Sequence, residues 1–278
     1  MGARGWTDSR GGGRKAGGGL WVIAVVIVLG AAAWQRMSDT TRPIQGEVLV
    51  SGQTVSYSLL GVGSSSEPIR VSVAAPEEVS GNLRWRAADG EGEGAFQSST
   101  MLRDGEQVVG FLPAQPPGTE LEYSLVLAGP SGLTRIPTDG TVPLQIRGPV
   151  PGVLLFPHVG ILILSMVVGV RAGLGAVWAM PDAGRLSKLT VAGLTVGGMI
   201  LGPIVLSFAA GSYWTGWPLG SDWRANSLAM MWLVWVVAAL AAHGVAEDAT
   251  DRFARTTVIG AALVTVLVSL VPRSLYTL

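Results

Sequence analysis

Few residues in this chain have the chemistry of a reactive site. They are two histidines, His158 and His243, one carboxylate in an aromatic loop, Asp222, and the arginines Arg224 and Arg273; cysteine is absent. A histidine and a carboxylate beside Ser212 are the makings of an acyl-transfer triad. A histidine with a free ring nitrogen ligates a metal or a haem, and guanidinium groups hold anions. The absence of cysteine removes disulfides, thiolate metal sites and Cys nucleophiles. Ser212 lacks the Gly-x-Ser-x-Gly turn that exposes a hydrolase nucleophile, so the triad is the weakest of these options.

The elements that must carry these residues are hydrophobic. Only 14% of the 278 residues are charged, the net charge is zero, and the mean hydropathy is +0.45. A neutral chain with no basic patch gives no reason to expect a nucleic-acid partner. Four apolar runs occupy the C-terminal half: Pro157 to Leu174, Leu189 to Ala210, Leu228 to Ala242 and Thr256 to Val271. With their flanking Trp, Ser and Gly residues each approaches the roughly 20 helical residues needed to cross a bilayer, and none holds an acidic residue. A fifth run, from Leu20 through Ala33, follows a leader (residues 1–19) with Arg4, Arg10, Arg14 and Lys15. It reads as an N-terminal transmembrane anchor over residues 20–35 or as a cleaved signal peptide; closure on Trp34 favours the anchor.

Basic residues set the orientation. The leader, Arg171, Arg185, Lys188, Arg252 and Arg255 fall on one side, against Arg36, Arg42, Arg147, Arg224 and Arg273 on the other, a shallow bias by which the positive-inside rule makes the first side cytoplasmic. The expected orientation therefore has the N-terminus in the cytoplasm. Arg171 reads as a side chain reaching to the headgroups, and Gly193-xxx-Gly197 with Gly198-xxx-Gly202 as small-residue packing stripes ahead of a kink at Pro203. Pro157 suits the first position of a helix, placing His158 at the outer rim. His243 closes a span at the opposite side, so most of a ~30 Å core separates the two rings, and they cannot share one metal or haem iron. No cofactor, no metal site and no catalytic residue is expected.

The loop GSYWTGWPLGSDWR, residues 211–224, joins the third and fourth spans on the outer side. Its aromatic residues fit an interfacial belt, and Gly216, Pro218 and Gly220 impose turns. Trp214, Trp217, Asp222 and Arg224, with His158 and Arg273, form the candidate ligand- or partner-binding cluster; the competing reading is an ion-paired clasp that ties the loop to the helix ends.

Residues 44–148 alternate as strands do. Val55-Tyr57-Leu59, Ile69-Val71-Val73 and Leu121-Tyr123-Leu125-Leu127 recur at period two, with turn signals at Asp89-Gly90, Asp104-Gly105, Pro116-Pro117-Gly118, 129–132 and Asp139-Gly140. Seven or eight strands at this spacing predict an extracytoplasmic β-sandwich. Trp85 falls in its core and Pro143 on an edge strand. Phe111-Leu-Pro-Ala-Gln-Pro-Pro-Gly-Thr-Glu-Leu-Glu-Tyr123 resembles the proline-rich turn and strand of bacterial Ig-like or fibronectin-III-like modules.

A second resemblance rests on Phe156-Pro-His158, Val170-Arg-Ala-Gly-Leu174, Gly202-Pro203 and Tyr213 through Asp222. These are similar to an uncharacterised family of bacterial membrane proteins in which an exported Ig-like domain precedes a four-helix transmembrane unit. The resemblance implies that architecture, with the four helices in residues 150–278, and a bacterial inner membrane as the localisation; it implies no activity. The family pattern continues the loop with a second Asp and a Lys, where this chain has Ala225 and Ser227, and ends the last span with Pro-His-Ser, where it has Pro272-Arg-Ser274. A role for paired outer histidines does not carry over.

The expected fold class is thus an α+β membrane protein: an N-terminal helix, an Ig-like β-sandwich, and a four-helix bundle. The expected function is non-enzymatic, an accessory or partner-binding component of a membrane assembly. Its expected partners are the lipid bilayer and a membrane protein or a second copy of the chain. The alternatives are a redox-linked or ligand-binding subunit using His158, and an outward-facing membrane hydrolase.

Overall fold

A computed structural model of the chain describes residues 10–38, 43–88, 94–243 and 251–271. Its contacts divide the chain into two units, one holding residues 1–39, 152–204 and 214–278, the other 40–151 and 205–213.

In the second unit, β1 (Ile44–Val50) and β2 (Gln53–Leu59) form an antiparallel hairpin. Eight further strands follow: β3 (Val62–Ser64), β4 (Ile69–Ala74), β5 (Ser80–Ala87), β6 (Gln97–Asp104), β7 (Gln107–Leu112), β8 (Glu120–Gly129), β9 (Gly132–Ile136) and β10 (Val142–Arg147). They pair in the order β3-β10-β8-β5-β6-β7-β4, with β9 on β8. The count exceeds the expected seven or eight partly because β9 and β10 pair with successive stretches of β8, Leu125–Gly129 and Glu120–Tyr123, as one interrupted edge. Strand β6 changes partner along its length, pairing with β5 over Gln97–Met101 and with β7 over Leu102–Asp104. The sheet therefore curls around its core in a barrel-like way.

Alternation explains that core. Ile69, Val71, Val73, Leu83, Trp85, Leu121, Tyr123, Leu125 and Leu127 are all buried, and Trp85 lies directly across from Tyr123. Pro143 lies on β10 opposite Glu122, before the stretch Gln145–Arg147 that β3 covers, so its missing donor leaves no ladder bond unmade on that side. Arg103 ties the connection after β4, donating to the carbonyls of Ala75, Pro76, Glu77 and Val79. The stretch Val205–Tyr213 groups with the strands: the Gly148 N–H donates to Ala209 O at 3.0 Å.

Tyr123 is fully buried, and its hydroxyl donates to Leu60 O at 2.9 Å. Burial pushes the phenol well above its ordinary value of 10.0, because the anion would lose its hydration. The neutral form is favoured in the folded state. Its contribution to stability is therefore complete below pH ~10 and is lost as pH climbs above that value. Tyr123 is expected to stay un-ionised at pH ~11, so that Tyr123→Phe leaves the tyrosinate absorbance developed by that pH unchanged, while lowering stability by about 1 kcal/mol through the lost hydrogen bond.

The first unit is helical: α1 (Arg10–Met37), α2 (Gly152–Val177), α3 (Ala183–Leu194), a π-helical stretch Thr195–Ile200, the start of α4 (Leu201–Ala210, which belongs to the second unit from Val205), α5 (Trp223–Ala241) and α6 (Arg252–Leu270). Within the described residues five segments are long and apolar enough to cross a membrane: Gly17–Met37, Gly152–Val177, Ala183–Ala210, Trp223–Ala241 and Arg252–Leu270. Along α1, Leu20, Ala24, Val28 and Ala31 are buried at helical spacing, and Ala24 and Val28 pack with Val167 and Val170 of α2. Trp34 Nε1 donates to Leu270 O at 3.0 Å. Glycines let the other helices approach. A side chain at Gly193 would overlap Ser165 Oγ, and a Cβ at Gly197 would lie 2.8 Å from Ile161 Cγ2. The first stripe thus packs against α2, and the second meets Leu228 of α5 as well as Leu162 and His158 of α2.

Two expectations change. Pro157 is not the first helical residue, because α2 begins at Gly152; the missing N–H falls in the second turn and costs only the bond to Val153 O. Arg171 does not reach outward. Its side chain is 3% exposed and binds Asp182 Oδ2 at 2.9 Å, with Trp21 of α1 over the guanidinium at 5.8 Å. A carboxylate just beyond the helix end offers the charge a nearer partner than the headgroups.

Candidate functional site

The loop before α5 is built around Asp222. This residue is the N-cap of α5: Oδ1 accepts from the Arg224 N–H at 2.8 Å. Oδ2 accepts from Thr215 Oγ1 at 2.7 Å, and the Asp222 N–H donates to Thr215 O at 3.0 Å. A second brace comes from Asn226, whose Oδ1 accepts from the Trp217 N–H at 2.6 Å. Trp214 Nε1 donates to Trp217 O at 3.1 Å, and the Leu219 and Gly220 N–H groups both close on Gly216 O. Gly216 is required here, since a Cβ would lie 2.6 Å from Asn226 Oδ1. The result is a tightly bonded turn that leaves Trp217 and Leu219 each 78% exposed.

Arg224 Nε lies 3.8 Å from Asp222 Oδ1, with the side chains 45% and 26% exposed. Such a pair in water is worth little. The cap and the Thr215 bond carry more, and Asp222→Ala is expected to cost about 1–2 kcal/mol. Thermal melting of the detergent-solubilised protein checks this, with Asp222→Asn expected to lose less because its amide oxygen still caps.

His158 is placed by a different local rule. In the π-helical stretch the Leu201 N–H bonds Val196 O, five residues back, so the donor that would close an α-turn on Gly197 O is used elsewhere. The half-buried His158 ring fills the gap, with Nδ1 2.8 Å from Gly197 O. A carbonyl only accepts, so Nδ1 carries the hydrogen and Nε2 of the neutral ring keeps its lone pair. Gly202 borders the same ring, its Cβ position lying 3.7 Å from His158 Cε1 and 3.8 Å from Leu228 Cδ2. Leu228 is one turn along α5 from Arg224.

The structure therefore brings Trp214, Trp217, Asp222 and Arg224 into one loop and sets His158 near the first turns of α5. Among the described residues no hydrogen bond joins His158 to Asp222 or Arg224. Arg273 lies outside the described residues, as does the Asp89-Gly90 turn. Among the described residues no group of three or more His, Cys, Asp or Glu side chains could hold a metal. His243 follows α5 and is exposed.

Sequence reasoning missed Thr215, Asn226 and the Gly197 carbonyl. The first two flank an Asp that precedes an apolar run, an arrangement that signals a capped helix. The third had no signal, since the α-to-π change is a matter of backbone hydrogen bonding. In comparison with known proteins, no family model and no curated protein matches the chain.

Proposed function

We propose that the protein is a non-enzymatic component of a bacterial inner membrane assembly, recognising a partner protein through its extracytoplasmic face. The observation that carries this reading is the braced loop that holds Trp217 and Leu219 exposed. A loop with its polar groups bonded internally loses little entropy on binding, and an exposed Trp is the kind of anchor on which interfaces concentrate their energy. In this reading α1 is a retained anchor, supported by its packing on α2 and its bond to Leu270 O. The N-terminus and the ends of α2 and α5 face the cytoplasm, following the basic residues. The β unit is an extracytoplasmic Ig-like recognition module. Support comes from the Trp85–Tyr123 pair in its core, from β6 changing partner from β5 to β7, and from β3 lying parallel to β10.

A photo-crosslinking residue at position 219 tests the reading in intact cells. A discrete protein adduct is expected that disappears in Trp217→Ala and persists when Leu133, exposed on β9, is replaced instead. Recovery of lipid adducts alone would contradict it.

One observation favours a second reading, a ligand-binding or redox-linked subunit. A histidine whose Nδ1–H is fixed by a backbone carbonyl is oriented as metal- and haem-binding histidines commonly are. Purified protein with a Soret band that His158→Ala abolishes would favour it, and a colourless, metal-free preparation would remove it.

A further inference from the structure

Helices α3 and α5 leave an open groove of about 290 Å³ between them, lined by Lys188, Val191, Val236, Ala239, Leu240 and His243. The α5 side is one helical stripe, at i, i+3, i+4 and i+7, that runs on into the turn holding His243. Lys188 and Val191 stand one turn apart on α3. Both polar side chains therefore fall at the same end, and everything beyond them is apolar. The groove has stops at both ends. Next to the polar end, the Cβ position of Gly184 is 3.4 Å from Ala242 Cβ. At the apolar end, Trp232 Nε1 donates to Thr195 Oγ1 at 2.9 Å. The helical rise from Lys188 to Thr195 is about 10 Å. Among the described residues neither Lys188 nor His243 has an ion-pair partner.

We propose that this groove seats one anionic phospholipid. Its phosphate lies between the Lys188 ammonium and the His243 ring, and the first part of one acyl chain lies along Val191, Val236, Ala239 and Leu240. Charge complementarity selects the head: two nitrogen donors, with exposed Arg185 a turn earlier on α3, and no carboxylate among the lining residues. Length selects the tail. Both walls belong to helices long and apolar enough to cross a membrane, where an apolar groove fills with hydrocarbon and a soluble anion gains nothing from the lining. The volume is at the small end for a ligand pocket, which suits part of one chain and not a whole folded ligand. The proposal rests on the chain being embedded in a bilayer.

The test is native mass spectrometry of the full chain in mild detergent, offered phosphatidylglycerol and phosphatidylcholine of equal chain length. The wild type is expected to prefer phosphatidylglycerol by about fivefold, the factor one basic side chain contributes at an anionic surface. Lys188→Ala with His243→Ala should bring the preference close to unity. Ala239→Phe, which fills the groove and leaves both polar side chains in place, should remove the bound lipid as well. Arg252→Ala, a basic residue outside the groove, should behave as wild type. Helical circular dichroism identifies any variant that misfolds, and the Ala239→Phe result then stands alone. No preference in the wild type, or a preference that survives either groove variant, overturns the proposal. Displacement of the lipid by excess inorganic phosphate also overturns it, by marking a free-anion site. Failure of the bilayer premise shows separately, as protein in the soluble fraction.

Discussion

Arg171→Ala is expected to destabilise the helical unit by about 3 kcal/mol, measured by SDS unfolding in detergent micelles. The guanidinium is 3% exposed, while its partner Asp182 is 43% exposed, so the loss falls at the lower end of what breaking a buried pair costs. Three helical segments depend on it: Trp21 of α1 faces the charge, Arg171 sits on α2, and Asp182 precedes α3. Asp182 forms no side-chain cap for α3, because its Oδ2 is given to Arg171. Removing the arginine leaves the carboxylate without that partner.

The pair is also incompletely satisfied. Among the described residues, Arg171 Nε and Nη1 and Asp182 Oδ1 are buried without a hydrogen-bond partner. A buried ion pair left with such gaps contributes little net stability over an apolar replacement, so the double substitution Arg171→Leu with Asp182→Leu is expected to recover most of the loss. Equal destabilisation in the single and double variants would show that Arg171 acts through its stem alone.

Trp235→Ala is expected to cost about 4 kcal/mol in the same assay. Trp235 is fully buried, in a core cluster with Ala172, Ala176, Leu194, Met231, Ala261 and Ala262. A Cβ at Gly169 would lie 2.7 Å from its ring. Removing an indole from a close-packed helix interface leaves more space than its neighbours fill by relaxing, so much of the lost dispersion contact is not recovered. The Nε1–H donates to Thr265 Oγ1 at 2.8 Å, but the hydrogen bond is the smaller part. Thr265→Val should cost only about 1 kcal/mol, as interhelical hydrogen bonds in membranes generally do.

What could be read from sequence follows from the range of each interaction. The burial of Ile69, Val71 and Val73 needs only period-two alternation, and the helices need only apolar length. The aromatic loop was recognisable as shaped because its glycines and proline impose turns. Arg171 was misread because its partner lies beyond the helix end, where neither 3.6-residue spacing nor hydropathy points to it. The Arg103 clasp on Ala75 to Val79 is likewise set by the meeting of distant strands. His158 could be named as a candidate, yet its orientation depends on a carbonyl freed by a change of helical hydrogen bonding 39 positions away.

The proposed topology puts the strands and the aromatic loop on the outer side of a membrane and the turn between α2 and α3 on the inner side. A chain without cysteine permits a direct measurement. Single cysteines at Leu133, Leu219 and Arg185, all exposed, can be probed in spheroplasts with a membrane-impermeant maleimide. Labelling of the first two in intact spheroplasts, and of the third only after lysis, is the predicted result. Labelling of Arg185→Cys before lysis, or of Leu219→Cys only after it, would contradict the account.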